Sequence, residues 1–260
     1  MDKTKDTESR LIYEANFFDE RIEQSQFSEN DLIFKPSPID SKILNFLKID
    51  INQSYKILDC GCGTGKSSVL LAKYGMNVSA IDISPKSIEI TRKRAEINQV
   101  ADCVEARVMA LENLQYNDNT FDIIVGEMVL HHADLEKSIN ETIRVLKPGG
   151  RAVFRETNAQ NKILMLARSL LTGRFGIPKL RDEIENPISK KDIKKITKIS
   201  KGKCTCFYFS FHFFKMLHFY IFKSKFKALQ KIFNNLDNMI YKYIPFLRKY
   251  SYTIIIQISK

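Results

Sequence analysis

Several features that are common in other protein classes are missing from this sequence of 260 residues. It contains no uncharged apolar run of about 18 residues or more, so we predict no transmembrane helix. The amino-terminal segment (MDKTKDTESR) is charged and lacks the apolar stretch of a signal peptide. The five cysteines never form the C-x-x-C spacing of metal sites. We therefore predict no bound metal and a reduced, cytoplasmic setting.

Acidic residues are scarce in the second part of the chain. Residues 158–260 hold 21 Lys and Arg but 5 Asp and Glu, a net charge of +16, whereas residues 1–157 hold 20 and 25, a net charge of −5. Seven phenylalanines lie between residues 207 and 222 of the basic part. This composition suits peripheral binding to an anionic membrane surface, or binding of a long apolar substrate or of nucleic acid. The alternative is an ordinary helical cap whose Phe side chains are core and whose lysines are solvated.

The most informative stretch is Tyr55–Ser68, which reads YKILDCGCGTGKSS. A short apolar run ends in Asp59, glycines follow at 61, 63 and 65, and a helix-compatible segment comes next. Glycines allow positive φ and let a ligand lie on the main chain, and a helix N-terminus offers unpaired N–H groups. A phosphate-binding P-loop would need its first glycine at Cys60. A dinucleotide fingerprint would need its third glycine one residue later.

A second acid follows at a meaningful distance. The segment Asn77–Ile83 is predicted to be a strand, and Asp82 at its end comes 23 residues after Asp59. In doubly wound sheets an acid at this place accepts hydrogen bonds from the hydroxyls of a ribose. The alternative is a loop acid that caps the following helix.

Three later segments complete a pattern: Ala110–Leu114 (ALENL), Phe121–His132 (FDIIVGEMVLHH) and Arg144–Gly150 (RVLKPGG). With the glycine turn and Asp82, they resemble the type 11 methyltransferase domain of the class I S-adenosylmethionine (SAM) dependent methyltransferases, which includes menaquinone and ubiquinone methyltransferases. The resemblance covers residues 11–157. It implies an α/β fold with a Rossmann-like doubly wound sheet, mostly parallel, with an antiparallel edge hairpin, an N-terminal lid helix and a C-terminal helical cap.

The expected organisation has four parts. They are N-terminal lid helices (1–50), a SAM-binding core (51–157), a variable cap (158–202) and edge strands with inserted aromatic and basic helices (203–260). We expect disorder over residues 1–10 and a loop over 172–187. The other elements predicted outside the core are helices over 11–24, 39–47, 161–171 and 189–199, strands over 203–211 and 252–258, and a helical insertion over 213–250.

The resemblance implies SAM as the methyl donor, with S-adenosyl-L-homocysteine as product. The residues it assigns to the cofactor are Asp59, Gly61, Cys62, Gly63, Gly65, Asp82, Ile83, Ala110, Leu111, Glu127 and Met128. Asp82 and Ile83 would hold ribose and adenine, and Leu111 would flank the adenine. Ala110 stands where the family has an aspartate that binds the adenine amino group, so that contact must come from elsewhere.

Few residues are expected to act in the chemistry, because methyl transfer depends mainly on holding donor and acceptor in near-attack geometry. The candidate catalytic residues are His132, His131 and Glu127. A histidine at that place can accept a proton from a hydroxyl at neutral pH; the alternative is a histidine that only packs or caps.

The leading hypothesis is methyl transfer to an oxygen or carbon atom of a small apolar or lipid-like acceptor, such as a natural product, quinone or lipid. The alternatives are a nucleic-acid methyltransferase and a protein that binds SAM without catalysis. Residues 126–129 read GEMV, without the [D/N/S]-P-P-[Y/F] sequence that usually accompanies methylation of base amino groups.

Overall fold

The computed structural model describes residues 7–25, 27–171, 187–209, 211–222 and 225–260. Seven strands form one sheet: β1 (Lys56–Cys60), β2 (Asn77–Asp82), β3 (Val104–Val108), β4 (Phe121–Glu127), β5 (Leu146–Thr157), β6 (Cys204–Phe207) and β7 (Thr253–Ser259). The α-helices of the described ranges are α1 (Thr7–Ser25), α2 (Glu29–Leu32), α3 (Pro38–Phe46), α4 (Lys66–Lys73), α5 (Pro85–Ile97), α6 (Leu135–Val145), α7 (Lys162–Leu171), α8 (Lys190–Ile199), α9 (Phe213–Phe222) and α10 (Lys227–Tyr243).

The strand order across the sheet is β3-β2-β1-β4-β5-β7-β6. Strands β1 to β5 are parallel, and β7 runs antiparallel to both of its neighbours, β5 and β6. The predicted Rossmann-like sheet with an antiparallel edge hairpin is therefore confirmed. The chain reverses its order between β1 and β4, so a crevice opens at the carboxyl ends of these two strands.

The central strands are apolar on both faces because helices cover both sides of the sheet. Ile57 and Leu58 of β1, and Ile123 and Ile124 of β4, are fully buried. Ile57 and Ile123 pack with residues of α3, α4 and α5, whereas Leu58 and Ile124 pack with residues of α6 and α8. Continuous apolar runs of this kind are typical of parallel strands, which explains why the sequence predicted these strands well.

Helix α1 begins at Thr7, so the predicted disorder over residues 1–10 is wrong for residues 7–10; residues 1–6 lie outside the described ranges. Arg10 explains the difference, because its guanidinium bonds the carboxylate of Glu112 and the main-chain oxygen of His132. These partners lie more than 100 residues away in sequence. Local composition therefore gave no indication of the ordering.

The C-terminal part departs from the prediction at one strand. The capping box at Ser189 and Asp192 is present, and α8 follows it as predicted. The strand predicted over residues 203–211 ends at Phe207, the last residue of β6 that pairs with β7. Beyond it, the ring of Phe209 packs edge-on against Phe46 at 4.9 Å instead of continuing the ladder. The loop predicted over residues 172–187 lies, except for its last residue, outside the described ranges.

Between β6 and β7 the chain forms α9, α10 and a 3₁₀ helix over Pro245–Tyr250, which matches the predicted helical insertion. Helix α9 packs against α7 and α10. Among the described residues, no helix is long and apolar enough to cross a membrane.

Candidate active site

The glycine turn between β1 and α4 leaves its backbone open at one glycine and closely packed at another. Gly65 has a φ of +73°, and a Cβ there would lie 2.8 Å from Cγ2 of Thr91 in α5. Gly63 has a φ of +52°, and a Cβ there would meet no atom within 4 Å. Gly65 therefore permits close helix packing, whereas the backbone at Gly63 faces free space in which a ligand can approach it.

Asp82 lies at the end of β2, beside this turn. Its Oδ2 accepts a hydrogen bond from the Gly63 N–H and its Oδ1 accepts one from the Ser84 N–H, both at 2.9 Å. Burial raises the pKa of Asp82 above its usual value, although these N–H groups oppose the rise. Each carboxylate oxygen can accept more than one hydrogen bond. The fixed carboxylate can thus receive two further donors, such as a pair of vicinal hydroxyls.

A cavity of 530 Å³ separates the carboxyl ends of the strands from α1. Its wall brings together nine of the residues predicted to bind cofactor or act in catalysis: Gly61, Gly63, Asp82, Ile83, Leu111, Glu127, Met128, His131 and His132. The other four predicted residues, Asp59, Cys62, Gly65 and Ala110, do not line this cavity, whereas Met109 and Glu112 from the same segment as Ala110 do.

Helix α1, the expected lid, supplies part of the wall. Its contributions include Arg10, Phe17 and Phe18. The helix is held at one end by Arg10 and at the other by Asp19, which accepts hydrogen bonds from the Ser84 hydroxyl and the Lys86 N–H. Because Ser84 also binds Asp82, the lid is connected to the acid at the end of β2.

His131 and His132 each face a carboxylate. Nδ1 of His131 lies 2.5 Å from Oε2 of Glu156, and Nδ1 of His132 lies 3.2 Å from Oε2 of Glu14 in α1. Both carboxylates are fully buried, and the two imidazole centroids lie 4.2 Å apart. A carboxylate at Nδ1 favours the tautomer that carries its proton on Nδ1 and has Nε2 as the basic nitrogen.

The two histidine pairs differ in their surroundings. Glu156 also accepts hydrogen bonds from the N–H groups of Val129 (3.0 Å) and Leu130 (2.9 Å), so it holds the segment after β4 in place. His131 has a side chain only 1% exposed, against 16% for His132. His131 is therefore built into a structural network, while His132 is the more accessible imidazole.

The end of β4 is strained. Met128 has a φ of +57°, which is unfavourable for a residue with a side chain, and its N–H donates to the Arg155 oxygen at 2.8 Å. The preceding residue, Glu127, is half-exposed and forms an ion pair with Arg155. Strain of this kind is typical of ligand sites, because the surrounding structure must enforce it.

A second cavity of 540 Å³ lies between α3, α4 and the central strands, and it shares Glu127 with the first. Its wall is largely apolar, with Phe46, Leu70, Val153 and Phe209 among its members. The charged or titratable side chains in its wall are those of Lys42, Asp59, Glu127, Arg155 and His212.

Asp59 gives the site a testable pH dependence. Its carboxyl group is 3% exposed, and burial raises its pKa from 3.8 to about 6, against the hydrogen bond donated by the Ser68 hydroxyl at 2.5 Å. The folded state therefore holds a proton that the unfolded state has lost between pH 3.8 and 6. The free energy of unfolding should fall by about 3 kcal/mol as pH rises through this window, and the loss should persist above it.

We expect Asp59→Asn to remove this loss. Urea unfolding should show that the variant has a larger free energy of unfolding than the parent at pH 7 but not at pH 4. Ser68→Ala is the matched variant, because it deletes the donor that stabilises the ionised carboxylate and should enlarge the loss. Parallel pH profiles for parent and Asp59→Asn would contradict the assignment.

Residues 58–154 match the family model described as a methyltransferase domain. Methyltransferase GfsG of Streptomyces halstedii is 30% identical over 128 residues, which are 48% of this chain and 46% of the relative. The ubiquinone/menaquinone biosynthesis C-methyltransferase UbiE of Zymomonas mobilis subsp. mobilis is 41% identical over 104 residues, 38% and 40% of the two chains. The chain spans about half the length of the curated relatives it matches.

Two solved structures share the fold over most of the chain. Geranyl diphosphate C-methyltransferase from Streptomyces coelicolor A3(2), in complex with Mg²⁺, geranyl diphosphate and S-adenosyl-L-homocysteine, has a TM-score of 0.59 at 15% identity and covers 96% of each chain. The [4+2]-cyclase SpnF has a TM-score of 0.55 at 15% identity and covers 85% of this chain and 79% of its own. At these identities the likeness shows the fold alone.

Proposed function

Because residues 58–154 form a methyltransferase domain, we propose that this chain transfers a methyl group from SAM to an oxygen or carbon atom of a small apolar or lipid-like molecule. The observation that carries the proposal is the arrangement at Asp82. A buried carboxylate, fixed by two N–H groups, faces a cavity beside a glycine whose backbone is open. This arrangement suits a nucleoside whose ribose hydroxyls donate to one carboxylate.

The residues around Asp82 fit the rest of the cofactor. Ile83, Met109 and Leu111 give the cavity an apolar side that suits a flat adenine ring. The turn at Gly61 and Gly63 would face the methionine end. Glu112, two residues after Ala110, also lines the cavity, so its carboxylate is our candidate for the adenine contact that Ala110 cannot make.

When bound, SAM would supply a sulfonium methyl group whose carbon the acceptor atom attacks in line, with S-adenosyl-L-homocysteine as the leaving group. The chain's own task is to orient the reactants and exclude water. Helix α1 serves the second purpose, because Phe17 and Phe18 close the cavity on the side away from the sheet. Where the acceptor is a hydroxyl, His132 is placed to take its proton, with Glu14 holding the imidazole from the lid.

The walls favour an apolar acceptor. The first cavity presents Phe18 and Met128 near His132, and the second cavity is mainly apolar. Glu127 lines both cavities, so the two lie on either side of the end of β4. The names of the relatives include C-methyltransferases and N-methyltransferases, so they do not select the acceptor atom.

Two alternatives to this proposal can be tested against it. A nucleic-acid acceptor is favoured by the basic part of the chain and opposed by the sequence at the end of β4. Binding without transfer is favoured by Ala110, which stands where the family has the adenine-binding aspartate.

The experiment is transfer from SAM labelled in its methyl group, offered a lipid extract or an RNA pool in parallel. We expect label in the lipid fraction only. Label in RNA would overturn the proposed acceptor class. Binding of SAM with no label in either pool would support the non-catalytic alternative.

A further inference from the structure

The outer side of α10 and the 3₁₀ helix after it carries an apolar stripe that the fold does not use. Its large side chains are 50% to 70% exposed, and those on α10 recur at intervals of seven and four residues, as expected for one face of a helix. The stripe consists of Ile232, Met239, Tyr243 and Phe246.

The opposite side of α10 already packs against α9. The ring of Phe233 lies 5.8 Å from that of Phe214, and Asp237 accepts hydrogen bonds from the N–H groups of Phe214 and Lys215. The helix is therefore fixed without its outer stripe. Exposed apolar residues that packing does not require indicate an interaction surface.

The charge around the stripe has one sign. Residues 203–260 contain ten Lys and Arg and a single acid, Asp237, which is 3% exposed and occupied by α9. Lys231 and Lys242 are exposed on α10 next to the stripe, and the Lys242 ammonium lies 5.1 Å from the Tyr243 ring centroid. An anionic partner would meet no exposed acidic side chain from this segment.

We infer that this face, the α10 stripe with Lys231 and Lys242, binds the surface of an anionic lipid bilayer. An interfacial helix combines aliphatic and aromatic side chains that enter the headgroup region with lysines that meet lipid phosphates. Single-stranded RNA needs flat rings for base stacking. Two of the four stripe residues, Ile232 and Met239, are aliphatic, so the composition fits lipid better.

The helical insertion that carries this stripe also adjoins the proposed acceptor site, and this part of the inference rests on the proposed function. Arg168 of α7 and Tyr252 line the first cavity, and the Tyr252 hydroxyl lies 3.5 Å from that of Tyr220 in α9. Helices α7 and α10 both pack on α9. A bilayer on the outer side of α10 would therefore bring lipid-soluble acceptors close to the cavity.

The test is co-sedimentation of the full chain with vesicles of phosphatidylcholine, alone or mixed with phosphatidylglycerol, across a salt series. We expect binding only to the anionic vesicles, weakening with salt. Lys231→Glu/Lys242→Glu should lower the partition coefficient at least about 30-fold, because each lysine near an anionic surface contributes about 1 kcal/mol. Ile232→Ser/Met239→Ser should also weaken binding, with little change in its salt dependence.

The matched control is Lys194→Glu/Lys198→Glu. It makes the same change of net charge on exposed lysines of α8, which packs against α6. Equal losses in both charge variants would overturn the inference in favour of general electrostatic attraction. Binding of the parent to an RNA oligonucleotide at physiological salt, without vesicle binding, would also overturn it. SAM binding, measured separately, reports on the proposed function alone.

Discussion

Asp82→Ala should abolish measurable binding of SAM. The carboxylate has two oxygens available to ribose hydroxyls, and hydrogen bonds to a charged group contribute about 1.5–3 kcal/mol each. Losing both should weaken affinity by about 10²- to 10⁴-fold. The substitution also removes the acceptors for the Gly63 and Ser84 N–H groups, so the turn and the start of α5 lose their alignment. Isothermal titration calorimetry measures the effect directly.

Two further variants separate ligand contact from folding. Asp82→Asn keeps one acceptor oxygen and should bind SAM with an intermediate affinity. Asp102→Ala removes an exposed acid before β3 and should leave binding unchanged. Far-UV circular dichroism and the urea midpoint verify that each variant is folded. An Asp82→Ala protein that is folded and binds SAM like the parent would remove the central assignment of this site.

The features predicted from sequence are those that local spacing determines. A strand, a glycine turn and a helix follow one another within 14 residues, and the acid of the next strand lies at a fixed distance from them. Parallel strands then bring Asp82, Glu127 and Met128 to one edge of the sheet, because their carboxyl ends meet there. The placement of nine predicted residues around one cavity follows from these rules.

The lid contacts could not be predicted in the same way. The local sequence predicts that Glu14 is a charged residue on a surface helix. Its buried position depends on His132, which lies 118 residues later. One signal was present: Leu11, Glu14 and Phe18 follow helical spacing, so the acid lies on the apolar side of α1. A charge on a buried face implies a polar partner, although the sequence does not identify that partner.

The contacts of Glu156 could not be predicted from the sequence either. At the end of β5 it resembles any acid of a strand terminus, and only the folded structure places it under the main chain of Val129 and Leu130 and beside His131. The consequence is that the two adjacent histidines have different functions in our proposal. His131 belongs to a buried network that shapes the loop, whereas His132 faces the acceptor.

Substituting His132 tests this division of roles. We expect His132→Ala to lower labelled methyl transfer into the lipid fraction by about 10²- to 10⁴-fold, the usual contribution of a positioned general base. Affinity for SAM should change little, because Asp82 and the glycine turn are untouched. His131→Ala should instead destabilise the protein by about 3–5 kcal/mol, because it leaves the buried Glu156 carboxylate without its imidazole partner.

Glu14 decides whether the lid takes part in this chemistry. Glu14→Gln keeps the shape of the side chain and removes the charge, so transfer should fall about tenfold if the carboxylate orients His132. In the double variant Glu14→Gln/His132→Ala the rate should equal that of His132→Ala alone, because a residue that acts through His132 has no effect once the imidazole is gone. If the loss of rate in the double variant is the product of the two single losses, Glu14 and His132 act independently. An unchanged rate in His132→Ala would exclude the histidine as the base. The double variant also removes the buried charge of Glu14, and its urea midpoint shows whether its rate comes from a folded protein.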